Sequence, residues 1–262
     1  AASRTASADA RSGTGASLAS STKSPTDLTY DPGRDRVVAR RVRAVGDFVL
    51  EASDAPVPDR ASAEAVLLAA AQADPERALA LSQPELAAFA QRALCLREWM
   101  PDLELPSIDI EFWSSLLPDL VPGRRSFADL AKAPTLDFAR GRLTPAQLSA
   151  LEREAPERLP VPSGSQLRLT YEPGRPPILA ARIQELFGLR ATPRVAGGRV
   201  PVLLHLLAPN GRPQQVTDDL ESFWSNTYFE VRKELKRRYP KHAWPDDPLD
   251  ARAERRPKRR RT

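Results

Sequence analysis

The sequence predicts an α+β fold: a small β fragment, a helical middle and a compact C-terminal α+β module. Three observations predict it. Apolar and polar residues alternate in short runs between Leu28 and Ser53, helix starts and stops punctuate residues 59–157, and alternation returns near Leu159 before a last helical run. The 262 residues have room for one large domain or two small ones. The expected divisions are an unordered segment 1–27, the β fragment 28–57, the helices 58–157, the C-terminal module 158–248 and an unordered basic tail 249–262.

Residues 1–26 are dominated by Ala, Ser, Thr and Gly, which bury too little apolar area to offset chain entropy. Residue 1 is Ala, so the sequence is expected to begin inside a longer product or after processing. Leu28-Thr29-Tyr30 enters the turn Asp31-Pro32-Gly33-Arg34. Val38, Arg40 and Val42 then alternate with Val37, Ala39 and Arg41, and Phe48-Val49-Leu50 follows the break at Gly46-Asp47. Two or three short strands are not stable alone, so this fragment is expected to need further sheet partners.

Ala61–Ala73 reads as a helix. Ser82-Gln83-Pro84-Glu85 reads as a capping box opening a second, with Leu86, Phe89, Ala93, Leu96 and Met100 at helical spacing and Pro101 and Pro106 as the stop. Ile110, Trp113, Leu116 and Leu117 predict a short helix, and Thr144-Pro145 starts another carrying Leu148 and Leu151. Gln166–Tyr171 alternates as a strand. Ile178–Phe187 reads as a helix with Leu179, Ile183 and Leu186 on one face and Gly188 as its left-handed cap. Strands are expected within Arg194–Leu207 around Gly197-Gly198, and Asn210-Gly211 signals a hairpin. Thr217 is expected to cap a long helical stretch closed by Pro240. The run from Leu28 to Arg34 echoes the run from Leu169 to Arg175, which reads as two strands ending in similar turns.

Composition excludes several functions. No run approaches 18 apolar residues, so no membrane helix is expected. Cys95 is alone and histidines number two, so neither an internal disulfide nor a Cys/His zinc site can form. With no secretory apolar segment in residues 1–26, a cytoplasmic location is expected. No Gly-Lys pair and no Asp-Glu-x-His run occurs, so a phosphate-cradling loop and its magnesium carboxylates are missing. Gly13-Thr14-Gly15 and Gly197-Gly198 lack the strand–loop–helix setting of a nucleotide fingerprint. Ser163-Gly164-Ser165 lacks nucleophile-elbow spacing. His205 reads as a structural mid-strand residue; His242 reads the same way, with phosphate contact as the alternative. Asp218-Asp219 complements a helix N-terminus. No catalytic, cofactor-binding or metal-binding residue is expected.

The charge is concentrated. The net charge is +5, yet residues 252–262 alone hold seven basic groups and one acid, leaving 32 basic against 33 acidic groups elsewhere. A near-neutral body thus carries a cationic end. The candidate nucleic-acid-binding residues are Arg232, Lys233, Lys236, Arg237, Arg238 and Lys241 on the last helix and just beyond it. Arg252, Arg255, Arg256, Lys258, Arg259, Arg260 and Arg261 add the tail. For the helix group, a solvated face that balances the helix dipole is the competing reading. Trp224, Tyr228 and Phe229 read as core, with a base-stacking platform as the alternative.

From Val161 to Pro248 the chain resembles one family. The segments are Val161-Pro-Ser-Gly-Ser165, Ile183-Gln-Glu-Leu-Phe-Gly-Leu189, Thr192-Pro-Arg-Val-Ala-Gly-Gly-Arg-Val-Pro201, Gln215-Val-Thr-Asp-Asp-Leu220, Ser222-Phe-Trp-Ser-Asn-Thr-Tyr228 and Arg238-Tyr-Pro-Lys-His242. They resemble the C-terminal region of HrpB-type bacterial helicases, relatives of the DEAH-box RNA helicases. Arg36–Leu50 is loosely similar to the end of that family's OB-like β region, and the helical middle to its variable connector. The sequence departs at Arg237, where the family pattern has Gly, and at Ala243, where it has Pro. It also lacks the two RecA-like motor domains, so no family catalytic residue carries over. The resemblance implies an accessory region that binds single-stranded RNA with little sequence preference or docks on motor domains. It implies no ATP hydrolysis by this chain and no cofactor in it, since ATP and magnesium belong to the motor. The alternative is a stand-alone protein-interaction module derived from a truncated helicase gene.

Overall fold

The computed structural model describes residues 26–45 and 48–255. Of the segments expected to lack order, 1–27 and 249–262, residues 1–25 and 256–262 lie outside the described residues, as does the break at Gly46-Asp47, whereas Thr26 and Asp27 belong to a strand and Leu249, Ala251 and Ala253 pack on the core. The chain is α+β, as its sequence predicts.

Three strands, β1 (Thr26–Asp31), β2 (Arg36–Val45) and β3 (Phe48–Ala55), form an antiparallel meander in that order. The β1–β2 turn is built by Asp31, whose Oδ1 accepts the amides of Gly33 and Arg34 at 2.9 and 3.1 Å. Asp35 closes the turn in the left-handed region, φ +46°, a conformation Asp tolerates better than most residues.

The helical middle holds α1 (Arg60–Ala73), α2 (Pro75–Ala78), α3 (Pro84–Trp99), α4 (Ile110–Ser114), α5 (Leu117–Leu120), α6 (Phe127–Leu130), α7 (Thr135–Gly141) and α8 (Pro145–Glu154). Short acidic or hydroxyl caps start many of them. The Asp59 and Ser126 side chains accept the amides of Ser62 and Asp129. Thr144 and Gln147 form a true capping box at α8. The box expected at Ser82 does not form. Gln83 is the residue that precedes α3, it makes no capping bond, and its amide instead donates to the Ala131 carbonyl at 3.0 Å.

Among the described residues the β meander packs on these helices and pairs with no further strand. The Tyr30 ring stacks on Phe127 with centroids 4.4 Å apart, a contact worth about 1 kcal/mol beyond its buried area. The Asp35 carboxylate accepts the Tyr30 hydroxyl and the first two amides of α6, Phe127 N at 2.9 Å and Ala128 N at 3.0 Å. One unusual backbone residue therefore docks the sheet on a helix end.

Beyond α8 lie β4 (Arg158–Pro160), β5 (Gln166–Thr170), β6 (Ile178–Arg182), the two-residue pair β7 (Arg194–Val195) and β8 (Val200–Pro201), β9 (Leu203–Leu207) and β10 (Pro213–Thr217). Five of them make a sheet ordered β10-β9-β6-β5-β4. The β6–β9 pair is parallel and the others are antiparallel. The helix expected over Ile178–Phe187 is thus a strand followed by a 3-10 turn over Ile183–Glu185. Leu179 and Ala181 are buried while Ala180 and Arg182 are exposed, which is strand alternation. The helical spacing of Leu179, Ile183 and Leu186 arises because the chain turns after Arg182 and buries the next residues as well. Gly188 is left-handed, φ +81°, as expected.

The last helical run comprises α9 (Leu220–Ser222), a π turn over Phe223–Thr227 and α10 (Tyr228–Arg238). Its cap is Asp219, which accepts the Ser222 amide at 2.9 Å, while the expected Thr217 hydroxyl accepts the Asp219 amide at 3.0 Å.

One hydrophobic core runs from Leu67 to Trp244 through both the helices and the sheet. At their junction sits Arg92 of α3, 2% exposed. Its Nε donates to the Ala155 carbonyl at 2.8 Å and its Nη2 to the Leu151 carbonyl at 3.4 Å, which satisfies the C-terminal end of α8. Its Nη1 pairs with Glu157 at 2.8 Å, and Nη2 lies 3.3 Å from Glu152. The Glu157 carbonyl in turn accepts the Leu169 amide of β5 at 2.9 Å.

Two outcomes are expected. Arg92→Ala strands the Ala155 carbonyl in the interior, while the Leu151 carbonyl keeps the Ala155 amide and the carboxylate partners, each 48% exposed, can be rehydrated. The variant should lose about 3 kcal/mol in denaturant unfolding, with Arg92→Lys in between. The second concerns Asp35. Burial raises its carboxyl pKa, but the Tyr30 hydroxyl, the two amides and the charge of Arg77 outweigh this and leave it below the usual carboxylate range. Its stabilisation is present above the ordinary Asp value and is lost as pH falls through the lowered one. Asp35→Asn should therefore be less stable than the parent at neutral pH, and the gap should close in unfolding measurements below about pH 4.

Candidate nucleic-acid interface

The C-terminal helix buries one side and charges the other. Trp224 and Tyr228 are buried at 3% and 0% exposure, packed with Phe187 and Phe223 at centroid distances of 4.9–6.3 Å. Their polar atoms are used: Trp224 Nε1 donates to the Leu189 carbonyl at 2.8 Å and Tyr228 Oη to the Pro245 carbonyl at 3.0 Å. Neither ring is available for stacking. Phe229, expected in the core with them, is instead exposed, because it follows Tyr228 by one residue on the helix and so turns away from the face that Tyr228 buries.

After α10 the chain folds back. Trp244 Nε1 donates to the Tyr239 carbonyl at 2.9 Å, and Arg232 Nε donates to the Trp244 carbonyl at 2.9 Å while its Nη2 pairs with Asp246. Arg232 is therefore a clamp on the returning segment, with its side chain only 18% exposed. The segment continues across the sheet end, where the Gly188 amide donates to the Pro248 carbonyl and the Glu254 amide to the Gln184 carbonyl.

Lys233, Lys236, Arg237, Arg238 and Lys241 are exposed, and none is in an ion pair with a described residue. Arg238 lies over the Tyr239 ring at 5.8 Å. Phe229, Lys233, Lys236 and Arg237 share a stripe at helical spacing. Arg252 and Arg255 are exposed at the end of the returning segment; Arg256, Lys258, Arg259, Arg260 and Arg261 lie outside the described residues. His242 is half-buried, and burial together with nearby Arg182 holds its pKa below the ordinary histidine value. That shift disfavours the charged form that a phosphate would attract.

Ser165 Oγ donates to Glu185 at 2.7 Å, and Ser163 Oγ lies beside both. The Cys95 thiol is buried and pushed up to about 11 by burial, with Glu98 and Glu172 adding to the effect. Among the described residues no group of three or more His, Cys, Asp and Glu could hold a metal, and no helix is long and apolar enough to cross a membrane. Asp219 serves as a helix cap, as its acid pair suggests.

The family model of the ATP-dependent helicase C-terminal region, HrpB type, matches residues 116–248. This chain belongs to that family. The match takes in Leu116–Pro156, part of the helical stretch that sequence segments alone related only loosely. The chain is 41% identical over 175 residues to the ATP-dependent RNA helicase HrpB of Escherichia coli K12, covering 64% of this chain and 21% of that protein. It also resembles a crystal structure of the E. coli DExH-box NTPase HrpB, with TM-score 0.71 and 33% identity over 88% of this chain and 29% of the other. A second crystal structure, of the E. coli DEAH/RHA helicase HrpB, gives TM-score 0.63 and 32% identity over 84% and 28%. The chain thus corresponds to a C-terminal region and spans about a fifth of the curated relative's length.

Structural and interfacial residues on one helix should separate in variants. Trp224→Ala should cost about 3–5 kcal/mol in thermal or denaturant unfolding, and Arg232→Ala about 1–2 kcal/mol through its lost bonds. Lys233→Ala and Lys236→Ala should stay within about 0.5 kcal/mol of the parent.

Proposed function

We propose that this chain is the accessory C-terminal region of an ATP-dependent RNA helicase and that it holds single-stranded RNA by its phosphates. ATP and magnesium belong to motor domains on which it docks, and the chain alone hydrolyses no ATP, in keeping with its lack of a Gly-Lys pair and an Asp-Glu-x-His run. It works in the cytoplasm. The observation that carries the reading is the row of exposed cations, Lys233, Lys236, Arg237, Arg238 and Lys241, which no described carboxylate neutralises, leading toward the basic end of the chain. Cations of this kind capture a polyanion without reading its bases. Phe229 beside them offers one ring face to an unstacked base.

The test is a salt titration against a labelled single-stranded RNA. Seven tail cations would give a log–log slope of about −5 at roughly −0.7 per contact, and partial contact a slope nearer −3. A chain ending at Ala251 should bind more weakly at low salt with a flatter slope, and neither form should prefer a sequence. Equal affinity and slope would remove the tail from the site and leave the α10 cations to carry it.

A further inference from the structure

Four arginines from three separate stretches of the chain line a groove to which α10 contributes no residue. Arg36 opens β2, Arg60 opens α1, and Arg124 and Arg125 lie between α5 and α6. With Val37 and Val57 as apolar wall they line a cleft of about 480 Å³. A second depression of about 250 Å³ shares Arg36, Val37 and Val57 with it and adds Arg34.

The acids on this surface are already committed. Asp59 caps α1 through the Ser62 amide, and Asp54 pairs with Arg34 at 3.0 Å. Glu64 Oε1 accepts Arg60 Nε at 2.6 Å and the Gly123 amide at 2.7 Å, which fixes Arg60 against the 122–125 loop. Gly123, at φ +84°, makes room for this contact: a Cβ there would stand 3.2 Å from Arg60 Nη2. Arg124 donates to the Leu120 carbonyl. Arg36 and Arg125 are exposed, and neither guanidinium has a hydrogen bond or ion pair with a described residue. The larger cleft lines four arginines against Asp59 and Glu64, an excess of two positive charges.

We propose that this groove is a second, separate site for the phosphodiester backbone of single-stranded RNA, a reading that rests on the RNA-binding role above. The Ser62 and Gly123 amides beside the cleft are taken by Asp59 and Glu64, so recognition falls to side chains. Arg36 and Arg125, whose forks no described residue uses, can each hold a phosphate bidentately, and two such contacts suit a strand better than a single phosphate.

The test uses the full 262-residue chain, a labelled single-stranded RNA and the double variant Arg36→Ala/Arg125→Ala, whose unchanged melting temperature checks the fold. Removing two phosphate contacts should flatten the log–log salt slope by about 1.4 and weaken binding roughly 5- to 10-fold at low salt. The same loss should appear on top of truncation at Ala251. If the double variant binds like the parent while truncation still weakens binding, the groove proposal fails and the RNA role stands. If the parent itself binds no RNA at low salt, the role fails and takes the groove with it. Displacement of the RNA by poly-glutamate more effectively than by unlabelled RNA of equal charge would reassign the groove to an acidic polypeptide.

Discussion

A single buried guanidinium joins the two halves of this chain. Arg92 comes from the helical middle, closes the end of α8 by binding its last carbonyls, and holds Glu157 where the chain turns into the sheet. An arginine suits the place because its planar fork serves several acceptors at once, and because both of its acid partners stay partly hydrated, which limits the desolvation cost. Around it the Trp99 and Tyr171 rings meet at 6.1 Å, and the Tyr171 hydroxyl reaches the Pro156 carbonyl. Glu154, which accepts the Ala196 and Gly197 amides, and Arg199, which donates to the Trp99 carbonyl, cross the same junction, so Arg92 seats the sheet on the helical layer together with them and the shared core.

Charge is then distributed by what each cation can reach. Where a carbonyl or carboxylate stands within range, as for Arg92, Arg232 and Arg60, the guanidinium becomes part of the framework. Where no described acceptor pairs with it, as for Lys236, Arg237 or Arg125, the charge is left to solvent or a partner. An overall charge count hides this division, since it weighs a clamp and a free cation equally.

Much of the architecture was legible in the residues. Turn chemistry at Asp31–Arg34, the proline-started helix at Thr144 and the buried aromatics of Phe223, Trp224 and Tyr228 all follow from local rules. Ile178–Phe187 was misleading because three apolar residues spaced for a helix were buried by a strand and a turn together, and only pairing with β9 decides between them. The role of Arg232 as a clamp was invisible, since Asp246 and the Trp244 carbonyl reach it only after the chain reverses. The arginine groove was invisible for the same reason. Its members lie up to 89 positions apart and no periodicity links them.

The π turn ahead of α10 has a geometric consequence. Its wide loop, closed by the Tyr228 amide on the Phe223 carbonyl, puts one more residue between those positions than an α-helix would use. Phe223, Trp224 and Tyr228 can then all face the core while Phe229 and the lysines face out. Because each helical residue advances the chain by about 100°, that one extra residue sets the azimuth of the cationic stripe. Lineages that kept every lysine but lost a residue between Ser222 and Tyr228 would carry the same charge aimed at a different quarter of the molecule.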